Sequence, residues 1–308
     1  MNASFQIQAP IEAIRPGRRA ADLRGKGPRA AHRARRRPEE RIRLLGALVD
    51  LVRPEEMLLY VDRKAALGEA AIIANHNSHS LHLLQGEPLL SAFFDMADMI
   101  QVDSTRLLLW ARLVNGRSRR FHRCTYLDWR GDFWRKAAAR RWRVFYLGGA
   151  PGVADAAAAK IMAEFPGVEV RCRDGYFDAA AGSADNAALI GQINAFSPDI
   201  LFVGMGMQRQ EAWIVLHQHY LRPCVTFSVG AAFDYEVGVQ TAAPRWTGRM
   251  GVEWLFRLVH DPRRLAVRYL VEPWTLVGPA LADARFALRR KLRDWFAPRL
   301  NRRASDRG

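Results

Sequence analysis

Residues 143–170, RVFYLGGAPGVADAAAAKIMAEFPGVEV, decide the fold. They begin with an apolar run typical of a buried strand, turn through a glycine-rich segment, and continue as a helical pattern over 153–164. A second short run rich in valine follows at 168–172. A strand, a crossover helix and a second strand form the unit from which parallel sheets are built. The stretch therefore predicts an α/β fold.

The same alternation of strand and helix extends along the chain on both sides of this unit. Runs of β-branched and aromatic residues predict strands at 70–74, 97–102, 143–148, 168–172, 199–204 and 224–230. Helical patterns lie between and around them, at 55–66, 80–94, 105–115, 131–141, 153–164, 184–196, 209–220 and 251–270. Such alternation predicts a mostly parallel sheet with helices on both faces.

The composition is that of an ordinary folded protein with basic ends. The 308 residues are 49% hydrophobic and 25% charged, which excludes a disordered, collagen-like or disulfide-scaffold chain. No apolar run reaches the 18 residues of a transmembrane helix, and the first residues lack the apolar core of a secretory signal. The net charge of +16 divides into +8 over 1–43, +5 over 271–308 and +3 between them. A near-neutral body argues against a fold that binds duplex nucleic acid.

The two basic ends differ in apolar content. Residues 1–43 are rich in Arg, Ala, Gly and Pro and predict a mostly disordered extension, either a solvated tail or a segment attracted to phospholipid or nucleic acid. The C-terminal end predicts a helix that lies at a membrane interface or packs on the body of the domain. Its apolar residues at near-helical spacing are Leu281, Phe286, Leu288, Leu292, Trp295 and Phe296. We therefore expect an extension at 1–43, a core at 44–250 and a C-terminal helical appendage at 251–308.

Cysteine and histidine spacing predicts no metal site. Cys124, Cys172 and Cys224 are far apart and lack C-x-x-C spacing, so we interpret them as buried or idle thiols. His76 and His79 stand without an accompanying cluster of cysteines or carboxylates. The absence of a GxxxxGK[ST] loop, and of GxGxxG after the first strand, argues against a P-loop ATPase and a dehydrogenase.

Glycine turns follow three of the predicted strands, at 147–152, 203–206 and 228–232. Ligands of open α/β sheets bind outside the carboxyl ends of the strands, and free N–H groups at helix N-termini suit phosphate. Gly148, Gly149 and Gly206 are therefore candidates for a nucleotide or nucleotide-sugar site. Plain tight turns are the alternative interpretation.

Several polar side chains are expected at the same edge of the sheet. Asp103 follows the strand at 97–102, where it could act as a base or cap the next helix. Asn75 and Asn77 lie in a polar loop after another strand and are expected to reach the ligand. Three arginines spaced seven and four residues apart share one face of the predicted helix at 251–270, which suits a pyrophosphate or a solvated basic face. They are Arg257, Arg264 and Arg268.

Taken in order, several segments over roughly 43–272 resemble the WecG/TagA/CpsF family of glycosyltransferases. RLLGALVDLVRPEEM (43–57) is similar to the family's opening strand and helix, and NHNSHSL (75–81) to its T-x-N loop. VGMGMQRQEAWI (203–214) resembles the V-G-x-G-x-P-K-Q-E-x-W motif. The other similar segments are ADMIQVDS (97–104), 145–170, DGYF (174–177), SVGAAFDYEVG (228–238), AAPRW (242–246) and 252–270.

The resemblance implies an inverting, metal-independent transferase with a Rossmann-like core. It would move a hexose or N-acetylhexosamine-type sugar from a UDP-sugar to a saccharide on undecaprenyl diphosphate, without a further cofactor. It would act as a peripheral protein on the inner face of the cytoplasmic membrane, and a homo-oligomer is one option for its assembly. Asp103 falls on the proposed general base. The predicted substrate-binding residues are Asn75, Asn77, Arg123, Gly148, Gly149, Tyr176, Gly206, Gln210, Asp234, Arg257, Arg264 and Arg268.

The sequence departs from the family pattern at positions that cluster in the predicted site. Asn75 replaces the threonine of T-x-N, Ser104 the glycine after Asp103, and Gln208-Arg209 the Pro-Lys pair. Tyr126 replaces the glycine of an R-x-x-G-x-D segment, and Ala242 an arginine. These changes leave the donor sugar open and allow an altered or weakened activity. Those around Ser104 and Gln208 support the alternative of a non-catalytic UDP-sugar-binding or assembly subunit. A nucleic-acid-binding protein acting through the N-terminal arginines is a third, weaker hypothesis.

Overall fold

The structure is a computed structural model that describes residues 40–180 and 182–305; the side chains at 245, 249 and 296–305 are left out. Most of the expected extension at 1–43 lies outside the described residues, as do residues 306–308.

The described residues form a small antiparallel hairpin and a six-stranded parallel sheet. The hairpin consists of β1 (Arg41–Leu44) and β2 (Ala47–Asp50). The sheet has the order β4-β3-β8-β7-β5-β6. Its strands are β3 (Ala71–His76), β4 (Met99–Val102), β5 (Arg143–Gly148), β6 (Glu169–Arg173), β7 (Ile200–Gly204) and β8 (Val225–Ser228). The predicted parallel sheet is confirmed.

Helices connect the strands and continue beyond the last one. Those of the core are α1 (Pro54–Ala66), α2 (Ser78–Leu83), α3 (Pro88–Met96), α4 (Thr105–Asn115), α5 (Tyr126–Arg140), α6 (Val153–Glu164), α7 (Ala184–Phe196), α8 (Arg209–His217) and α9 (Ala232–Glu236). After them come α10 (Arg245–Met250), α11 (Glu253–His260), α12 (Pro262–Ala266) and α13 (Val277–Ser305), with a π turn at Val267–Val271 and a 3-10 turn at Glu272–Leu276.

Alternate side chains along each strand bury two separate apolar layers. On β5, Val144 and Tyr146 pack with residues of α1, α5 and α6, whereas Phe145 and Leu147 pack with residues of α3, α7 and α8. Because successive side chains of a strand point to opposite faces, each apolar strand must be covered on both sides. The helices therefore cover both faces of the sheet, as the sequence predicts.

Three segments differ from their predicted elements. The predicted helix at 80–94 is divided into α2 and α3, because Pro88 begins a new helix after an extended Glu87. The family resemblance implies one opening strand within 43–57, and this strand is β2, the second half of the hairpin. Both residues of the hairpin turn, Leu45 and Gly46, have positive φ. Asp50 fastens this hairpin to the sheet by accepting a 2.7 Å hydrogen bond from the amide of Ile100.

The prediction of one continuous helix at 251–270 is also wrong. It is broken at Asp261, whose φ of −142° is not helical, and Pro262 then begins α12. Proline has no N–H to donate and disfavours helical geometry at the preceding residue, so the helix ends there.

Gly148 ends β5 where this strand comes closest to β7. A Cβ atom on Gly148 would lie 2.3 Å from the carbonyl oxygen of Gly204, and its φ of +151° is rare for residues with a side chain. We therefore expect Gly148→Ala to lower the free energy of unfolding by about 1–3 kcal/mol, measured by chemical denaturation. Gly191→Ala is the matched control, because Gly191 lies on the exposed side of α7 with open space around it. It should leave stability unchanged or raise it by up to about 1 kcal/mol; equal effects of the two substitutions would contradict this account.

The long helix α13 both packs on the core and exposes apolar side chains. Asp283 accepts hydrogen bonds from the amide of Leu45 (2.8 Å) and from Trp110 Nε1 (3.2 Å), and Arg290 donates to the carbonyl of Val114 (3.2 Å). The apolar residues that the sequence places at helical spacing are exposed at 281, 286, 288, 292 and 295. The side chain of Phe296 lies outside the described residues.

Candidate active site

Asp103 directly follows β4 and faces two neighbouring cavities. Its backbone N–H donates to the carbonyl of His76 on adjacent β3 (2.9 Å), which fixes the turn. The next helix begins at Thr105 with Ser104 as its N-cap, so the alternative of Asp103 as a helix cap is wrong. Burial raises the pKa of Asp103 to about 7, although the nearby Arg257 and Arg123 oppose this rise. A carboxylate with this pKa can accept a proton near neutral pH.

The two cavities meet at Asp103. The larger has a volume of about 220 Å³ and opens at the carboxyl ends of β3, β4, β7 and β8. The smaller, of about 80 Å³, lies between α4 and the segment after α10. The residues that line both are Asn77, Asp103, Glu253, Arg257 and Arg268. The carboxylate thus lies where two separately bound molecules could approach each other.

A chain of ion pairs joins the core to the C-terminal segment beside Asp103. Arg123 donates to Asp128 (2.9 Å) and to Glu253 (3.1 Å), and Arg257 donates to the other oxygen of Glu253 (2.6 Å). Glu253 is absent from the predicted site. Its spacing of four residues from Arg257 on one helix is the signal that could have indicated the pair. The bridge fixes both guanidinium groups next to the cavities.

Three predicted amide side chains are held in the wall of the larger cavity. Asn75 Nδ2 donates to the carbonyl of Ser228 on β8 (3.1 Å). Asn77 Oδ1 accepts from the amide of Ser80 and caps α2 (3.0 Å). Gln210 Oε1 accepts from the amide of Gly230 (3.2 Å). Each side chain therefore joins the cavity wall to a strand end or a helix start.

Glu211 fixes the other end of the Gln210 amide. It accepts a 2.6 Å hydrogen bond from Gln210 Nε2 and is buried beneath the cavity wall. Burial raises the pKa of Glu211 to about 7. The sequence places Glu211 in the motif but does not indicate that it positions Gln210.

Arg264 and Arg268 both line the larger cavity although the helix that carries them is broken. Arg264 is exposed and pairs with Asp261, its near neighbour in sequence (2.5 Å). Arg268 is half-buried and has no hydrogen-bond or ion-pair partner among the described residues, and burial lowers its pKa. An arginine with unused donors at a cavity is suited to a bound anion.

The remaining predicted residues lie outside the lining of both cavities. Gly148 and Gly149 pack against β7, and the amide of Gly149 already donates to the carbonyl of Gly204 (3.3 Å). Gly206 faces open space, and Tyr176 is 66% exposed. Asp234 is half-buried near Arg264, and burial raises its pKa. The close approach of two strands therefore uses the amide of Gly149.

Other residues of the cavity walls were not predicted. Tyr235 and Gln240 line the larger cavity, and Trp254 and Tyr269 the smaller. Burial raises the pKa of Tyr235 to about 12, so its hydroxyl stays neutral. Tyr235, Trp254 and Tyr269 lie in segments that resemble the family, but the sequence does not identify any of these four residues as part of the site.

The histidines and cysteines have local partners or buried positions. Nδ1 of buried His76 contacts Ser80 Oγ (2.9 Å), and burial lowers the pKa of His76 to about 3. His79 Nδ1 contacts Glu272 (2.6 Å). Cys124 is buried in the wall of the larger cavity, and this burial raises its pKa. Over residues 40–180 and 182–305, no group of three or more His, Cys, Asp or Glu side chains is placed to hold a metal ion.

Comparison with known protein families gives one match over most of the chain. Residues 42–290 match the glycosyl transferase WecG/TagA/CpsF family. This chain belongs to that family.

Relatives of this WecG/TagA/CpsF-family chain occur in Staphylococcus aureus. The N-acetylglucosaminyldiphosphoundecaprenol N-acetyl-beta-D-mannosaminyltransferase of strain MW2 is 27% identical over 144 residues, which cover 47% of this chain and 55% of the relative. The proteins of the same name from strains NCTC 8325 / PS 47 and MRSA252 have the same identity and coverage. The chain thus spans about half the length of these relatives. Within its described part, none of the helices combines the length and hydropathy of a membrane span.

Proposed function

We propose that this family member is an inverting, metal-independent glycosyltransferase that moves a hexose or N-acetylhexosamine-type sugar from a UDP-sugar to a saccharide on undecaprenyl diphosphate. The observation that carries the proposal is the position of Asp103, a carboxylate with a pKa of about 7 between two cavities rich in arginine. The names of the relatives support the acceptor, since they describe transfer to N-acetylglucosaminyldiphosphoundecaprenol.

In the proposed reaction, Asp103 removes the proton of an acceptor hydroxyl as that oxygen attacks the anomeric carbon. The bond between this carbon and the UDP oxygen breaks on the opposite face, so the sugar is inverted and UDP leaves with added negative charge. Arg257 and Arg264 would stabilise that charge from the wall of the larger cavity. Gln210, held from both sides, would orient the donor.

The C-terminal appendage would bring this site to the membrane. Arginines and exposed apolar side chains alternate along α13, an arrangement that suits the interface of an anionic bilayer. The acceptor is a membrane lipid, so peripheral attachment to the inner face of the cytoplasmic membrane would increase its local concentration at the site. The basic residues of 1–43 would add electrostatic attraction.

A transfer assay tests the proposal. Purified full-length protein is incubated with a panel of UDP-sugars and a GlcNAc-diphosphate lipid, with and without EDTA, and the glycosylated lipid is identified by mass spectrometry. We expect one donor to give product, with the opposite anomeric configuration and no effect of EDTA. Donor binding without transfer to any acceptor would instead favour the non-catalytic UDP-sugar-binding subunit.

Glu253→Gln should move the pH dependence of transfer toward lower pH. The charged groups around Asp103 are Arg257, Arg123, Glu253 and Asp128, and the negative charge of Glu253 helps to raise the pKa of Asp103. Removing that charge lowers this pKa, so the active carboxylate form appears at lower pH. We expect a lower midpoint of the kcat–pH profile and a loss of less than about tenfold at its plateau.

Glu169→Gln is the matched control for Glu253→Gln. Glu169 forms exposed ion pairs with Arg143 and Arg171 on β5 and β6, away from both cavities. Its substitution should leave the midpoint in place. An unchanged or higher midpoint in Glu253→Gln would contradict the role given to this carboxylate.

A further inference from the structure

One face of α4 places a cation and two exposed leucines in a row. Arg106, Leu109 and Leu113 are spaced three and four residues apart and therefore share this face. Leu109 is 42% exposed and Leu113 is 66% exposed, whereas Leu107, Leu108 and Ala111 on the other side are buried against the hairpin. The helix thus has a buried side and an apolar strip without cover among the described residues.

The strip begins at the smaller cavity. Arg106 lines this cavity together with Asp103, Trp254 and Arg268. Gly251, in the same wall, lies beside Leu109 and Thr105, and Met250 next to it is 66% exposed. An apolar surface therefore starts one helical turn from Arg106 and leads away from the proposed base.

Arg106 and Arg268 are the cations of the smaller cavity that lack a carboxylate partner. The other two, Arg123 and Arg257, are both bonded to Glu253. Arg106 stacks on the Trp254 ring at 5.0 Å and has no ion pair among the described residues, and burial lowers its pKa. Keeping two unpaired guanidinium groups half-buried costs free energy, which a bound dianion would offset.

We propose that the smaller cavity is the acceptor subsite, in which Arg106 and Arg268 bind the lipid-linked diphosphate while the first isoprene units lie on Leu109, Leu113 and Met250. This inference rests on the proposed function and specifies where its acceptor binds. The larger cavity is then left for the donor, and Asp103 lies between them. The charge at one end of the strip and its apolar continuation match an amphiphile with a diphosphate head, whereas UDP has no apolar tail to place there.

Direct binding separates the lipid diphosphate from the diphosphate of UDP. Full-length protein is titrated with farnesyl diphosphate, inorganic pyrophosphate and UDP, with calorimetry as the readout. Arg106→Gln should weaken farnesyl diphosphate and pyrophosphate binding by about tenfold or more and leave UDP binding within about twofold. Arg63→Gln, at an exposed arginine on α1 outside both cavity linings, is the matched control and should change none of the three.

The tail is tested by Leu109→Ser combined with Leu113→Ser. Wild-type protein should bind farnesyl diphosphate more tightly than pyrophosphate, and the double variant should lose about tenfold of that preference without a change in pyrophosphate binding. Leu59→Ser, an exposed leucine on α1, should keep the preference. Unchanged UDP binding and thermal midpoint show that each variant is folded.

Three results would overturn the inference. The first is that Arg106→Gln weakens UDP binding as much as farnesyl diphosphate binding. The second is that the double variant keeps the preference for farnesyl diphosphate over pyrophosphate. The third is that the double variant loses vesicle binding while its farnesyl diphosphate binding is unchanged. The last would assign the strip to the membrane surface. If the wild type transfers no sugar but the binding results are as expected, the proposed function fails and the lipid diphosphate subsite stands. If the wild type transfers sugar and Arg106→Gln binds farnesyl diphosphate normally, only the subsite fails.

Discussion

Asp103→Asn should reduce sugar transfer by about 10²–10⁴-fold while UDP binding persists. General base catalysis contributes this range, and an amide of the same shape cannot accept the proton of the attacking hydroxyl. Wild-type activity should rise as pH increases through about 7, since the carboxylate form of Asp103 is the active one. The residual activity of the variant should lack this rise. Transfer assays across pH 5–9 and calorimetry with UDP provide the two measurements.

The same substitution, which lowers activity, should raise thermal stability at pH 8. The folded-state pKa of Asp103 lies above its unfolded value of about 3.9, so the wild type loses stability as pH rises through about 7. Asparagine removes that loss, and Asp103→Asn should melt at a higher temperature than wild type at pH 8 but not at pH 4. Asp132→Asn, at an exposed aspartate on α5, should leave both activity and stability unchanged. Full activity in Asp103→Asn would remove this residue from the role of base.

Arg257→Ala should reduce kcat by about 10²–10³-fold, the loss typical of one group that stabilises transition-state charge. Arg257 lines both cavities, faces Asp103 and lies over the ring of Tyr235 at 5.9 Å. Its loss also removes a positive charge that lowers the pKa of Asp103, so the midpoint of the kcat–pH profile should move to higher pH. This direction is opposite to the one expected for Glu253→Gln.

The neighbouring Arg263→Ala provides the control, because Arg263 is exposed and lies outside both cavity linings. Arg257→Lys should recover part of the activity, since lysine keeps the charge but not the paired donor geometry. A large rise in the donor KM of Arg257→Ala with kcat unchanged would show that Arg257 binds the ground state and the transition state equally and does not lower the barrier of the chemical step.

The local sequence determined the strands and most helices of the core. In β5 the run from Arg143 to Gly148 agrees at both ends, and α6 and α7 match the predicted 153–164 and 184–196. Nearly continuous apolar strands separated by helices are typical of a parallel sheet covered on both faces. Where prolines interrupt a periodic pattern, at Pro88 and Pro262, the predicted long helices were wrong.

The candidate site was only partly accessible to sequence reasoning. Asn77 and Asp103 follow strands, Asn75 lies near the end of β3 and Gln210 lies at the start of a helix, so parallel topology alone places them at one edge. Glu253 and Trp254 lie beyond the last strand, and no local pattern says where their segment folds.

The sequence by itself thus determined the sheet and the position of Asp103 at the edge where we propose that the substrates bind, because strand and turn preferences act over a few residues. Only the tertiary structure decided which glycines pack on a neighbouring strand and which arginines keep unused hydrogen-bond donors. It also decided that Asp103 lines two adjoining cavities. Those properties depend on contacts between residues far apart in the sequence, such as Gly149 with Gly204 and Arg123 with Glu253. Burial and charge at such contacts are set by the whole fold, which is why the pKa of Asp103 could not be derived from its neighbours in sequence.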